Sequence, residues 1–295
     1  MNKPRLATIA LGGCEGCHIS LIDAHEGLLE LLGMVDLVES PFTDGDGTIP
    51  PCDVLMVEGA VTNEADERRL LAAREAAGTL IAVGSCAVMG GIGGLRNLYT
   101  AREAIADVYG ADKPGEGLPP LTSSVKAVSQ VVDVDISVSG CAPKTVQIVD
   151  AIKAAVAGEA YDLPRKNLCD ECHRTKSKLL EHSADFVTDS VYSIMELDTI
   201  DPDLCFIEQG ILCMGAMTRE GCGARCTAAN VPCRGCSGPS RTDFEQGAKT
   251  IDALAAVLPA GALMYLDDLI GTGYRFSMPV SVIPAAYDHG GDEDV

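Results

Sequence analysis

The sequence predicts an α/β fold: a parallel-sheet domain followed by an irregular, cysteine-rich domain. Three observations predict it. Short apolar runs alternate with helical apolar spacing through the first half, three of those runs end in a Gly-Cys or Gly-Ser-Cys loop, and beyond Gly158 the alternation stops while cysteines crowd together. In an open parallel sheet, the loops at the carboxyl ends of the strands converge, and ligands bind there. A flavodoxin-like architecture would therefore bring together cysteines that lie far apart in sequence.

The elements follow in order. Arg5–Leu11 reads as an apolar strand ending in Gly12-Gly13-Cys14, and Ile19–Leu32 carries helical spacing at Ile19, Leu21, Ile22, Leu28, Leu29 and Leu32. Val35–Val38 and Asp53–Val57 read as the next strands. Glu64–Ala77 is an Ala/Glu/Arg-rich helix expected to close at Gly78, and Thr79–Val83 is a buried strand entering Gly84-Ser85-Cys86. Val134–Val138 leads into Gly140-Cys141-Ala142-Pro143, and Lys144–Ala157 is a helix ended by Gly158. Leu163–Lys166 links to a stretch from Cys169 to Pro239 in which little regular structure is expected. A helix near Thr242–Leu258 and an apolar segment at Leu263–Ile270 come next, then an acidic tail expected to be disordered. The implied domains are 1–160, 161–287 and the tail 288–295.

Cysteine arithmetic carries the chemistry. Of 13 cysteines, 12 divide into three groups of four, and a 4Fe-4S cluster takes four thiolates. The first group is Cys14, Cys17, Cys86 and Cys141, in glycine-rich surroundings that let the backbone approach the sulfurs. The remaining eight divide most simply in chain order. Cys169, Cys172, Cys205 and Cys213 form one group, and Cys222, Cys226, Cys233 and Cys236 the other; exchange of ligands between neighbouring clusters would alter that division. Metal ligation would supply much of the folding free energy of so irregular a segment. Cys52 reads as a packed core thiol.

Composition narrows the setting. A net charge of −21 argues against nucleic acid or an anionic membrane as partner. The N-terminal apolar run is too short to span a membrane, and there is no twin-arginine motif or small-residue cleavage site. A cytoplasmic protein is expected, without membrane insertion, where reducing conditions keep thiols free to bind metal. Gly90-Gly91-Ile92-Gly93-Gly94 lacks the Lys-Ser/Thr ending of a phosphate loop. His18 and His173 each follow a C-x2-C pair and are read as facing solvent, the alternative being donation of an N–H to a cluster sulfur.

Taken together, GCEGCHISLIDAHE, DVLMVEGAV, GSCAVMGGI, SGCAP and PCRGCSGP resemble the small, electron-transfer subunit of NiFe hydrogenases, over nearly the whole chain. The chain is most similar to the cytoplasmic, methyl-viologen-reducing type, which does not reduce deazaflavin and partners heterodisulfide reductase. The resemblance implies a hydrogenase electron-transfer subunit. A separate large subunit would carry the Ni-Fe centre, and a ferredoxin-like adaptor subunit would connect to heterodisulfide reductase. It assigns Cys14, Cys17, Cys86 and Cys141 to a proximal cluster, Cys222, Cys226, Cys233 and Cys236 to a medial one, and Cys169, Cys172, Cys205 and Cys213 to a distal one. Periplasmic relatives have a histidine where Cys169 stands and a three-iron medial cluster lacking the thiolate that Cys226 offers, so three 4Fe-4S clusters are expected here. An acid at the position of Glu58 lies near the proximal cluster and the proton path in that family. Glu58 is read either as a proton relay or as an exposed residue at the start of a loop.

Two other readings compete. A quinone-oxidoreductase subunit of the complex I type shares the sheet and one cluster, but its hallmark is adjacent cysteines, and it lacks the eight C-terminal ones. A zinc-stabilised scaffold would also use C-x2-C pairs.

Overall fold

A computed structural model describes residues 3–43, 47–111, 113–177, 190–241, 245–258, 261, 266 and 268–286. The chain divides into two compact units, one formed by Met1–Asp162 with Phe276–Val295 and the other by Leu163–Arg275.

The first unit is built on a five-stranded, wholly parallel sheet. Its strands are β1 (Arg5–Ala10), β2 (Asp36–Glu39), β3 (Cys52–Glu58), β5 (Ala77–Val83) and β7 (Ile136–Val138), in the spatial order β2-β1-β3-β5-β7. Counting sheet strands alone, that is the 2-1-3-4-5 order of flavodoxin-like folds. Strand alternation sorts the side chains into two cores. Val54, Met56, Ile81 and Val83 pack on one face with Leu21, Leu31, Ile148 and Ile152 of α1 (Gly16–Ile22), α2 (Glu26–Met34) and α6 (Thr145–Ala157). Leu55, Val57, Leu80 and Ala82 pack on the other with Leu70 and Ala73 of α3 (Glu64–Ala76) and Ala87 of α4 (Gly84–Met89). Covering both faces is what a parallel sheet requires, and it explains why these strands read as continuous apolar runs.

Several elements depart from the sequence expectation. The helix expected over Ile19–Leu32 is two helices, because the chain turns at Asp23-Ala24-His25 with His25 at φ 49°. Gly78 does not close α3. It lies inside β5, where a methyl group would come within 2.9 Å of the Asp53 carbonyl oxygen on the neighbouring strand. Cys52 lies within β3 rather than ahead of it and packs in the second core, as a core thiol should. A two-stranded antiparallel pair, β4 (Val61–Asn63) with β6 (Leu121–Lys126), and helix α5 (Ala101–Tyr109) are additions. α5 has a legible signal in Thr100 and Glu103, which form a capping box, and in Gly110 at its end. Strand β7 is shorter than the expected Val134–Val138. The segment after Arg275 returns to this unit, where the Gly91 N–H donates to the Phe276 carbonyl and the Gln130 amide to the Pro279 carbonyl.

Among the described residues, the second unit has short α-helices, α7 (Leu168–Glu171), α8 (Arg225–Ala228), α9 (Gln246–Ala255) and α10 (Leu269–Gly273), and no named strand. Its apolar clusters are small and partly made of cysteine. Leu168, Ala224 and Cys233 pack with Cys172, Cys213 and Cys222, while Cys205 and Ile207 pack with Leu254 and Leu258. α9 begins later than the helix expected at Thr242. Half of Leu263–Ile270 and the tail 288–295 lie outside the described residues; Leu269 and Ile270 open α10.

Candidate iron-sulfur sites

The sheet register sets the first site. Ala10, Glu58, Val83 and Val138 are neighbours across β1, β3, β5 and β7, so four strands finish in one row. The chain leaves that row toward Cys14 and Cys17 after β1, Cys86 after β5 and Cys141 after β7. Cys17 lies in the first turn of α1, and Cys86 sits on α4 rather than in the expected loop. Backbone and hydroxyl hydrogen bonds tie the three segments together. The Ser85 N–H donates to the Gly140 carbonyl at 2.9 Å, the Ser20 hydroxyl to the Pro143 carbonyl at 2.9 Å, and the Thr145 hydroxyl to the Ser20 carbonyl at 2.8 Å.

The thiols feel one another. Burial, then the Glu58 carboxylate, then Cys86, Cys141 and Cys14 push the Cys17 thiol far above its ordinary pKa. Burial, then Cys141, Cys14 and Glu58, push Cys86 up to about 11. Each thiolate formed in this space repels the next, and cations among the sulfurs would offset that repulsion. Two glycines make room for the sulfurs. A methyl group on Gly84 (φ 91°) would stand 2.3 Å from Cys17 Sγ, and one on Gly91 (φ 62°) would stand 2.4 Å from Cys86 Sγ. Cys14 and Cys141 remain exposed, so the site opens to the surface of the unit.

Glu58 is not the exposed loop residue that one reading allowed. It is the last residue of β3, 2% exposed, and its Oε2 accepts a 2.7 Å hydrogen bond from the His18 backbone N–H. His18 does not face solvent either. It is 2% exposed, with Nδ1 3.1 Å from the same oxygen and its ring edge-on to Phe42. His173, by contrast, is exposed, as the solvent-facing reading has it.

In the second unit Cys169, Cys172, Cys205 and Cys213 come together. Burial first, then Cys213, pushes Cys169 up to about 12, with Cys205 and Cys172 adding to it and Lys176 opposing it. Burial pushes Cys213 up to about 11, against backbone N–H groups of Gly215 and Cys233, with Cys205 and Cys172 adding to the rise. A methyl group on Gly215 would touch Cys169 Sγ at 3.4 Å and Cys213 Sγ at 3.7 Å. Cys233 is raised by burial, then by Cys213, with a smaller contribution from Cys236. Its N–H donates to Cys213 Sγ at 3.3 Å, so Cys233 stands where the two sequence groups meet. Cys222 packs in the same small apolar cluster, and Cys226 lies exposed on α8.

The donor chemistry and the glycine cradle suit an iron-sulfur cluster. Among the described residues no three His, Cys, Asp or Glu side chains gather closely enough around one point to hold a single metal ion. Among them too, no helix is long and apolar enough to cross a membrane.

The chain is similar to known proteins. The family model described as NADH ubiquinone oxidoreductase, 20 Kd subunit, matches residues 14–155. A subunit of the F420-non-reducing hydrogenase of Methanococcus voltae is 40% identical over 290 residues, covering 96% of this chain and 98% of its own length. In the crystal structure of an NAD+-reducing NiFe hydrogenase in the H2-reduced state, one chain aligns with a TM-score of 0.51 at 33% identity, covering 55% of this chain and 96% of its own. An actinobacterial-type NiFe hydrogenase from Ralstonia eutropha H16 shares the fold, with a TM-score of 0.52 at 18% identity over 92% of this chain and 87% of its own.

Proposed function

The chain belongs to the family of F420-non-reducing hydrogenase small subunits, and from that premise we propose that it carries electrons from H2 oxidation through three 4Fe-4S clusters to a further redox partner. The observation that carries the reading is the convergence of Cys14, Cys17, Cys86 and Cys141 beyond one row of strand ends, with Glu58 buried beside them. Each cluster, when bound, supplies a one-electron carrier.

The catalytic chemistry belongs to a large subunit bearing a Ni-Fe centre. Splitting H2 there releases two protons and two electrons, and the electrons enter this chain singly. What this chain's residues contribute is placement and environment. The strand-end row and its hydrogen bonds hold the first four thiols in register. Gly84 and Gly91 leave the sulfurs room, and the apolar cores on both faces of the sheet hold that register rigid. Glu58 Oε2, shielded from water and anchored by the His18 N–H, is suited to hold a proton near the site where protons are released. In the second unit, Cys169, Cys172, Cys205 and Cys213 bind the distal cluster, and Cys222, Cys226, Cys233 and Cys236 the medial one. The path runs proximal, medial, distal, since electron tunnelling weakens steeply with distance. We further propose a cytoplasmic complex in which a ferredoxin-like adaptor passes the electrons to heterodisulfide reductase. The domain boundary near residue 160 belongs to the same proposal, whereas the expected second domain 161–287 is cut short at Arg275, since the segment after it packs with the first unit.

The match to the 20 Kd subunit model accommodates the complex I reading for the first unit. It ends at residue 155, ahead of the eight cysteines from Cys169 to Cys236, whereas the match to the hydrogenase relative covers 96% of this chain and so reaches into them. That difference favours the hydrogenase reading. Iron and acid-labile sulfide analysis of the complex purified without oxygen tests it. About twelve irons and about twelve sulfides are expected from this chain, four of each for each cluster, in addition to the iron of the large subunit's Ni-Fe centre. Zinc without sulfide would overturn the assignment.

A further inference from the structure

Arg174 sits two residues after Cys172 and is 3% exposed, yet among the described residues no carboxylate lies within ion-pair distance of it. Its guanidinium is held by neutral acceptors. Nη1 donates to the Asp201 and Leu204 carbonyls at 2.7 Å each, Nε to the Thr227 carbonyl at 3.4 Å, and Nη2 to the Asn230 side-chain oxygen. The Phe206 ring lies across its face, 3.8 Å from ring centroid to guanidinium carbon. These contacts reach Leu204 and Phe206, on either side of Cys205, and Thr227, next to Cys226. The Thr227 hydroxyl in turn accepts from Cys172 Sγ at 3.4 Å. One guanidinium therefore clamps three thiol-bearing segments drawn from both C-terminal cysteine groups.

A buried cation without a counter-charge is costly, and hydrogen bonds to carbonyls offset only part of that cost. Arginine keeps its charge under all working conditions. Thiolates of the neighbouring cysteines, formed when iron is bound, place negative charge in this corner. Lys176 adds a second cation on the Cys169 side, with its ammonium group donating to the Cys172 and Arg174 carbonyls at 3.3 Å each. Glu208 opposes both from the Cys205 side.

We propose that Arg174 is a positioning residue for electron transfer, a fixed buried cation shared by the two C-terminal clusters that raises the reduction potential of both. The inference rests on the cluster assignment above. Reduction adds one electron, hence one negative charge, to a site whose nearby positive charge cannot move or ionise away. Net charge and local hydrogen bonding are among the factors that set cluster potentials.

The test is a redox titration of the anaerobically purified complex, followed by electron paramagnetic resonance, with iron content measured on every sample. Arg174→Gln is expected to load iron fully and to lower the reduced-to-oxidised ratio of the two C-terminal clusters about tenfold at a fixed ambient potential, ~59 mV for a one-electron couple. The cluster of the first unit serves as the internal control, and Arg174→Lys restores most of the shift. Full iron with unmoved potentials would overturn the inference. Should Arg174→Gln lose its clusters, Lys176→Glu decides. It reverses a charge on a less buried side chain beside Cys169, and the inference requires it to lower the potential of the cluster held there. An unmoved potential in that variant overturns the inference. Absence of iron from the wild-type complex would instead overturn the cluster assignment itself, so the two failures are distinguishable.

Discussion

The Glu58 carboxylate accepts a 2.7 Å hydrogen bond from the His18 backbone N–H, across forty residues of chain and at the point where β3 meets the first turn of α1. His18 directly follows Cys17. One acid therefore both anchors the helix that carries Cys17 and raises the electrostatic cost of ionising Cys17 and Cys86.

Glu58→Gln separates those roles. The amide oxygen can still accept from the His18 N–H, so the iron content should stay at the wild-type level, while the site can no longer take up a proton. Loss of a positioned proton-transfer group costs about 10²-fold or more, and H2 oxidation by the complex should fall by that order. Unchanged turnover with full iron would show that protons leave by another route.

Gly84→Ala should damage the first site selectively. Its methyl group would stand 2.3 Å from Cys17 Sγ in a backbone conformation at φ 91°, which costs a non-glycine residue roughly 1–2 kcal/mol before any clash. Iron per chain is expected to fall by about a third, one cluster of three. Iron analysis with resonance spectra of the remaining clusters checks it.

Cys52 provides a contrast within the same chain. It packs among Leu55, Leu70 and Leu80 on the face of the sheet covered by α3, and burial, then the Asp53 charge, raises its thiol pKa. Cys52→Ala should leave iron and sulfide unchanged and cost about 1 kcal/mol of stability, the order expected for a small buried group. A raised acid pKa means that the folded state holds the proton more tightly than the unfolded one. This thiol's contribution is therefore complete below the ordinary thiol value and is lost as pH rises through the folded value. In alkaline denaturation the wild type should lose part of its advantage over Cys52→Ala, as followed by chemical unfolding at increasing pH.

Asn63→Ala tests the scaffold away from the clusters. The Asn63 side-chain oxygen accepts from the Ala65 and Asp66 N–H groups at 2.9 Å each, capping α3. Its removal should cost about 1 kcal/mol, read as a lower unfolding midpoint with cluster content unaltered.

Much of this is legible along the chain. The apolar runs of β1, β3 and β5 are recognisable because both faces of the sheet are covered, so no polar alternation interrupts them. Cys14, Cys17, Cys86 and Cys141 stand out because they follow strands in glycine-rich loops. The pair β4 and β6 is not legible: one strand has three residues and the other has Thr-Ser-Ser between Leu121 and Val125, with no period-two pattern. Local pattern carries no mark of that long-range pairing. α5 announces itself through its capping box and the glycine that ends it.

By itself the sequence determined the parallel α/β scaffold, the number of thiols and the division of the chain into an ordered first half and a cysteine-rich second, since periodicity and spacing are local properties. Tertiary structure alone decided that Glu58 and His18 are buried against each other, that Cys233 stands beside Cys213, and that Arg174 is enclosed without a carboxylate partner among the described residues. Burial and proximity come from packing between segments distant in sequence, and it is they that set the cost of a charge.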